Sequence, residues 1–151
     1  MRRILYKNSI GDEMKERYLA LDVGEKTIGL AVSDQLNITA QGLDTIFRQS
    51  YKKDFEALKK VIEEYDVNVL VVGLPRRLNG EVGIQGEKVL KFVEKLKREI
   101  QIKVEFQDER MTTKIAENTL IQGNVSRKKR KKVIDKLAAV NILSVYLDKR
   151  S

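Results

Sequence analysis

The chain contains no cysteine, no histidine and no tryptophan, and only one proline, Pro75. Without cysteine it can form neither a disulfide nor a thiolate metal site. Without histidine it lacks the usual near-neutral general base and the commonest zinc ligand. Any catalysis must therefore run on carboxylates, lysine, tyrosine or hydroxyl groups, with Mg²⁺ or Mn²⁺ the natural partner of such hard oxygen donors. No run of eighteen apolar residues occurs, so no membrane-spanning helix and no membrane partner are expected. The stretch from Met1 to Lys15 carries Arg2 and Arg3 but no hydrophobic segment suited to a signal peptide, and a cytoplasmic location is expected. At 151 residues, with no internal repeat or low-complexity linker, the chain reads as one domain able to bury a core without covalent staples.

What the sequence does contain is a set of carboxylates placed at the ends of secondary-structure elements. The apolar run from Tyr18 to Leu21 delivers Asp22 to a strand tip, turns through Gly24, and returns as a second strand through Ile28, Leu30 and Val32. A carboxylate beside a glycine turn suits a cation held next to a phosphate, because glycine lets the phosphate approach the backbone and Asp supplies oxygen ligands. A hairpin Asp satisfying its own turn has the same local pattern. Val67 to Gly73 reads as a strand buried on both faces, followed by Leu74 and Pro75. Ile102 to Phe106 is a further strand, with Gln107, Asp108, Glu109 and Arg110 just past it. The segment Val133 to Leu147 is so rich in apolar residues that it predicts a helix lying against a core, with Asp135 in its first turn and Ala138 and Ala139 small enough for close approach to a sheet. Three segments thus offer carboxylates at element ends, the pattern that metal-dependent phosphoryl transfer requires.

The formal net charge is +8, and six of the positive charges form one run, Arg127, Lys128, Lys129, Arg130, Lys131 and Lys132, leaving +2 for the rest of the chain. Adjacent like charges repel, so the run predicts a mobile, solvated loop between Gly123–Asn124 and the final helix. Its place two residues from Asp135 makes it a candidate for gripping phosphates, since polyanion affinity comes from cations displacing counterions. Periodicity predicts strands near 18–24, 27–33 and 37–47 forming an antiparallel meander. Helices are predicted around Phe55 to Tyr65 and Val89 to Ile100, with another starting near Thr112. Three strands followed by alternating helices and strands give an α/β fold with a mixed five-stranded sheet and helices on both faces. Residues 1–16 have no clear period and read as an extension, either disordered or a short arm, with Met14 just before the domain at 17–151.

Four blocks in this order carry a resemblance. Asp22-x-Gly24-x-Lys26-x-Ile28-Gly29, Gly73-Leu74-Pro75 with Gly80, Asp108-Glu109-Arg110-Met111-Thr112-Thr113, and Asp135-x-x-Ala138-Ala139 are similar to the YqgF family. That family comprises RNase H-like bacterial proteins described as pre-16S rRNA nucleases or Holliday junction resolvases. The resemblance spans Tyr18 to Leu147. Thr27 stands where many members carry Arg, a change expected to weaken one substrate contact, and Arg76 and Arg77 occupy variable positions.

The resemblance implies the RNase H-like plan and a metal-dependent endonuclease with catalytic residues Asp22, Asp108, Glu109 and Asp135. Asp22, Glu109 and Asp135 are expected to hold Mg²⁺ or Mn²⁺, as two ions. Alternation along a strand sends Asp108 and Glu109 to opposite faces, which favours Glu109 as ligand and leaves Asp108 for a local hydrogen bond or a pair with Arg110. For an isolated Asp135 the commoner role is a helix-start carboxylate facing the positive end of the dipole. Lys26, Arg110 and the run Arg127 to Lys132 are the candidate nucleic-acid contacts, although Lys26 would sit equally well in solvent. Thr112 or Thr113 most simply caps a helix. The expected substrate is structured nucleic acid, with the 5′ end of pre-16S rRNA ahead of a four-way DNA junction, and the expected assembly is a monomer or homodimer. The same hairpin occurs in actin-like ATPases, but those close two such domains around a nucleotide. A catalytically silent RNA- or protein-binding module is the alternative of another class.

Overall fold

A computed structural model describes residues 16–109 and 127–150, with side chains of the last helix from Val133 onward. Five strands form one sheet: β1 (Tyr18–Val23), β2 (Thr27–Ser33), β3 (Ala40–Phe47), β4 (Val69–Pro75) and β5 (Lys103–Glu109). The described helices are α1 (Tyr51–Glu64), α2 (Ile84–Glu99) and α3 (Arg127–Arg150). The sheet order is β3-β2-β1-β4-β5, with β1, β2 and β3 antiparallel and β4 and β5 parallel to β1. The expected mixed five-stranded sheet is therefore present.

Alternation along the central strands builds two cores. Leu19, Leu21, Val23, Leu30, Leu70 and Val72 face α1 and α2, where Phe55, Leu58, Phe92 and Leu96 close the layer. Tyr18, Ala20, Ala31, Val69 and Val71 face α3, against Ala139, Ile142, Leu143 and Tyr146. Small residues dominate where α3 crosses the first strands, and Ala138 and Ala139 are wholly buried, as close approach requires. Helix α1 starts at Ser50, whose hydroxyl accepts from the Lys53 amide at 3.2 Å.

Several boundaries differ from expectation for identifiable reasons. β3 begins at Ala40 and not at residue 37, because Asp34 Oδ1 accepts from the amides of Ile38 (2.7 Å) and Thr39 (3.2 Å) and Asn37 adopts φ 56°, closing a turn instead of a strand. β5 runs on through Asp108 and Glu109, which pair with Leu74 and Pro75 of β4, so both acids lie within the strand and not beyond it. The largest correction concerns Arg127 to Lys132. These residues form the first turns of α3, not a loop. Lys and Arg are good helix formers, and extending a helix already anchored downstream avoids the cost of a new nucleus. Repulsion of a few tenths of a kcal/mol per pair on a helix does not outweigh that. Asp135 consequently lies in the third turn of α3 and not in the first, beyond the turn where the dipole acts.

The far end of α3 is fastened to the start of β1. The Tyr18 hydroxyl donates to Glu16 Oε1 at 2.6 Å, the Tyr146 hydroxyl bonds Glu105, and the Arg150 guanidinium lies 5.6 Å from the Tyr18 ring and 5.4 Å from that of Tyr146. Burial first, and the Glu16 contact second, push the Tyr18 hydroxyl up to about 12. A phenol whose pKa is raised on folding stabilises fully below its unfolded value, about 10, and that stabilisation is lost as pH rises toward the folded value. Stability is thus expected to decline between about pH 10 and 12. Tyr18→Phe should flatten that decline in denaturant titrations made at successive pH values; an identical decline in both proteins would contradict the clamp.

Candidate active site

Asp22 is half-buried near the tip of β1. It shares the alternation of Tyr18 and Ala20, which pack against α3, and pairs across the ladder with Gly29 of β2. The hairpin that follows is tied down from outside. The Gly24 amide donates to the Thr27 carbonyl at 2.8 Å, while Arg48 Nη1 donates to the Gly24 carbonyl at 2.7 Å and the Arg48 amide to the Lys26 carbonyl at 2.8 Å. Arg48 is itself held by Asp54, only 2% exposed, at 3.2 Å, and lies 5.0 Å from the Phe92 ring. A buried charge paired and stacked in this way sets the turn geometry rigidly. Lys26 stays exposed on the turn, beside the Glu25–Lys88 ion pair at 2.6 Å.

Glu109 closes β5 opposite Pro75. Glu105, two steps of alternation earlier, bonds Tyr146 of α3, so Glu109 belongs to the α3 face as well. Its Oε2 comes within 2.9 Å of the place a β-carbon would take on Gly73, and Ile142 of α3 crowds the same place. Glycine at 73 is what lets the carboxylate lie over β4. Continuing the β1–β4 register one step past Leu21–Val72 brings Asp22 level with Gly73, the residue over which the Glu109 carboxylate lies. Asp108 points to the opposite face, where it forms an ion pair with Arg76. Arg76 also donates to the Gly80 carbonyl at 2.9 Å, bracing the loop after β4.

Asp135 reaches the same end from above. Its backbone carbonyl oxygen lies only 2.2 Å from where a β-carbon on Gly29 would be, and its Oδ2 accepts from the Thr27 hydroxyl at 2.7 Å. Asp22, Glu109 and Asp135 therefore share one face and one end of the sheet, while Asp108 does not. Helix α3 runs back from Asp135 past the tip of β1, so the backbone of Arg127 to Lys132 continues about 4 to 12 Å beyond that acid along the axis. Arg110, Thr112 and Thr113 lie outside the described residues.

Among the described residues no three acidic side chains are gathered tightly enough to form a ready-made cation centre. The donor set nevertheless fits a hard divalent cation: it is all carboxylate oxygen, with no nitrogen or sulfur. Four supporting features had no role assigned from the residue pattern. Gly29 and Gly73 carried a usable signal, since glycine inside a strand marks close backbone approach. The Arg48–Asp54 pair and the Thr27 hydrogen bond join segments distant in sequence and had none.

The family model described as Holliday junction resolvase, RuvX, matches residues 16–149. A protein of Natranaerobius thermophilus named "Putative pre-16S rRNA nuclease" is 52% identical over 134 residues, covering 89% of this chain and 95% of its own. A Clostridioides difficile protein of the same name is 58% identical over 132 residues, covering 87% and 94%. Among solved structures, Thermus thermophilus RuvC in complex with a Holliday junction superposes with a TM-score of 0.53 at 14% identity, covering 89% of this chain and 95% of that one. The Fowlpox virus resolvase bound to junction DNA superposes with a TM-score of 0.53 at 15% identity, covering 89% and 98%. At such identities the structural likeness establishes the RNase H-like fold.

Proposed function

The chain belongs to the RuvX family, and from that premise we propose that it is a metal-dependent endonuclease acting on structured nucleic acid, with pre-16S rRNA as the substrate class. The observation that carries this reading is the placement of Asp22, Glu109 and Asp135 on one face and at one end of the sheet, delivered by three separate elements. Relatives at 52% and 58% identity over most of the chain bear the pre-16S rRNA name, which puts RNA first, while the matching family model is described as Holliday junction resolvase and makes four-way DNA the second substrate to test.

Asp22, Glu109 and Asp135 are the residues that would hold Mg²⁺ or Mn²⁺. Such ions supply Lewis acidity and an activated water for an in-line displacement at phosphorus, so no histidine is needed. The chain's own contribution is placement. The Arg48-braced hairpin fixes Asp22, Gly73 makes room for Glu109, and β2 pins Asp135. Lys26 and the basic start of α3 stand on the same end, suited to the phosphates flanking the scissile bond.

The test offers purified protein, with Mn²⁺ or Mg²⁺, matched panels of single-stranded RNA, duplex RNA, a pre-16S rRNA 5′ end and a four-way DNA junction. Cleavage of the rRNA end ahead of the others is expected. Preferential cutting of the junction would reassign the substrate, and binding without cutting of any would leave a silent module. Replacing Arg127 to Lys132 by glutamines, which keeps helix propensity, should weaken binding of all sequences about equally and flatten the salt dependence. If all six cations displace counterions, log affinity against log salt loses a slope of about 4 for a single strand and about 5 for a duplex. An unchanged slope would remove this segment from the binding surface.

A further inference from the structure

We propose that Thr27 is a positioning residue for Asp135, holding one carboxylate oxygen so that the other is presented to the cation. The inference rests on the cation-dependent reading above. Thr27 is 4% exposed and lies on the α3 face of β2, two residues before Gly29. Its Oγ1 is 2.7 Å from Asp135 Oδ2 across 108 residues of sequence. An ionised carboxylate only accepts, so the hydroxyl donates. That bond takes one acceptor site of Oδ2 and fixes the rotation of the carboxylate, and with it the direction in which Oδ1 is presented.

The contact is one half of a two-point attachment. Gly29 receives the Asp135 carbonyl directly against β2, which sets the height of the helix over the strand, and Thr27 sets the rotation of the carboxylate. A carboxylate free to rotate about its side-chain torsions would lose that freedom only on cation binding, at a cost in affinity. One already held in place does not. Supporting hydrogen bonds to metal ligands typically carry 10- to 100-fold in affinity when removed. Expectation from sequence gave Thr27 no role beyond a missing cation; its placement ties it to Asp135.

Mn²⁺ binding, read from the paramagnetic resonance signal of the free ion, separates this role from simple satisfaction of a buried hydroxyl. Thr27→Val, nearly isosteric and lacking the donor, should raise the half-saturating Mn²⁺ concentration by about 10-fold or more. Thr27→Ser, which keeps the hydroxyl, should stay within about 3-fold of the parent. In an Asp135→Asn background Thr27→Val should add little further loss, because both changes remove one coupled unit. Thr27→Ala provides the same comparison if the valine variant does not fold. Parental Mn²⁺ affinity in a folded Thr27→Val protein that still cleaves would overturn the positioning role and leave the nuclease reading standing. A parent protein that neither binds Mn²⁺ nor cleaves would overturn both.

Discussion

Asp22→Asn, Glu109→Gln and Asp135→Asn are each expected to lower metal-dependent cleavage by about 10²-fold or more, while Asp108→Asn keeps most of the activity. Exchanging a carboxylate for an amide preserves shape and removes the charge that attracts a divalent cation, and the cation's share of transition-state stabilisation is several kcal/mol. At about 1.4 kcal/mol per tenfold, that is a loss of two decades or more. The asymmetry between neighbours follows from the strand. Glu109 lies on the α3 face over Gly73, whereas Asp108 faces the other way and is engaged with Arg76. Single-turnover cleavage at saturating Mn²⁺, with circular dichroism confirming the fold, measures it. Inactive Asp108→Asn beside active Glu109→Gln would show that the wrong face had been assigned.

Gly29→Ala should be among the most damaging single-methyl changes in the molecule. The added β-carbon would lie 2.2 Å from the Asp135 carbonyl oxygen and 2.8 Å from its carbonyl carbon. These are backbone atoms of a long packed helix and cannot swing aside as a flexible side chain can. Overpacking of this kind costs about 1 to 3 kcal/mol, seen as a lowered denaturation midpoint. Relief by lifting α3 would also carry Asp135 away from Asp22, so activity should fall more than the stability loss explains. Gly80→Ala in the exposed loop after β4 makes a useful contrast, because its φ of 90° strains a side chain locally without touching α3. A Gly29→Ala protein with parental midpoint and activity would mean that the helix stands further from the sheet than described.

Much of this protein was legible from local pattern. The order of strands and helices follows from period-2 and period-3.6 spacing, each of which records only which residues face a core. The paired faces of Asp108 and Glu109 follow from the pleat alone. The absence of histidine and cysteine narrowed any catalytic site to carboxylates, lysine, tyrosine or hydroxyl groups. Tertiary structure decided the rest. Whether six consecutive cations form a loop or a helix depends on the anchoring of α3 downstream, and repulsion between neighbours carries no information about that anchor. The end of β5 depends on the length of its partner β4, whose ladder draws Asp108 and Glu109 into the sheet. That Thr27 should hold Asp135 and Arg48 should hold the Asp22 hairpin could not be read from either segment, because hydrogen bonds between elements far apart in sequence leave no periodic trace in the chain.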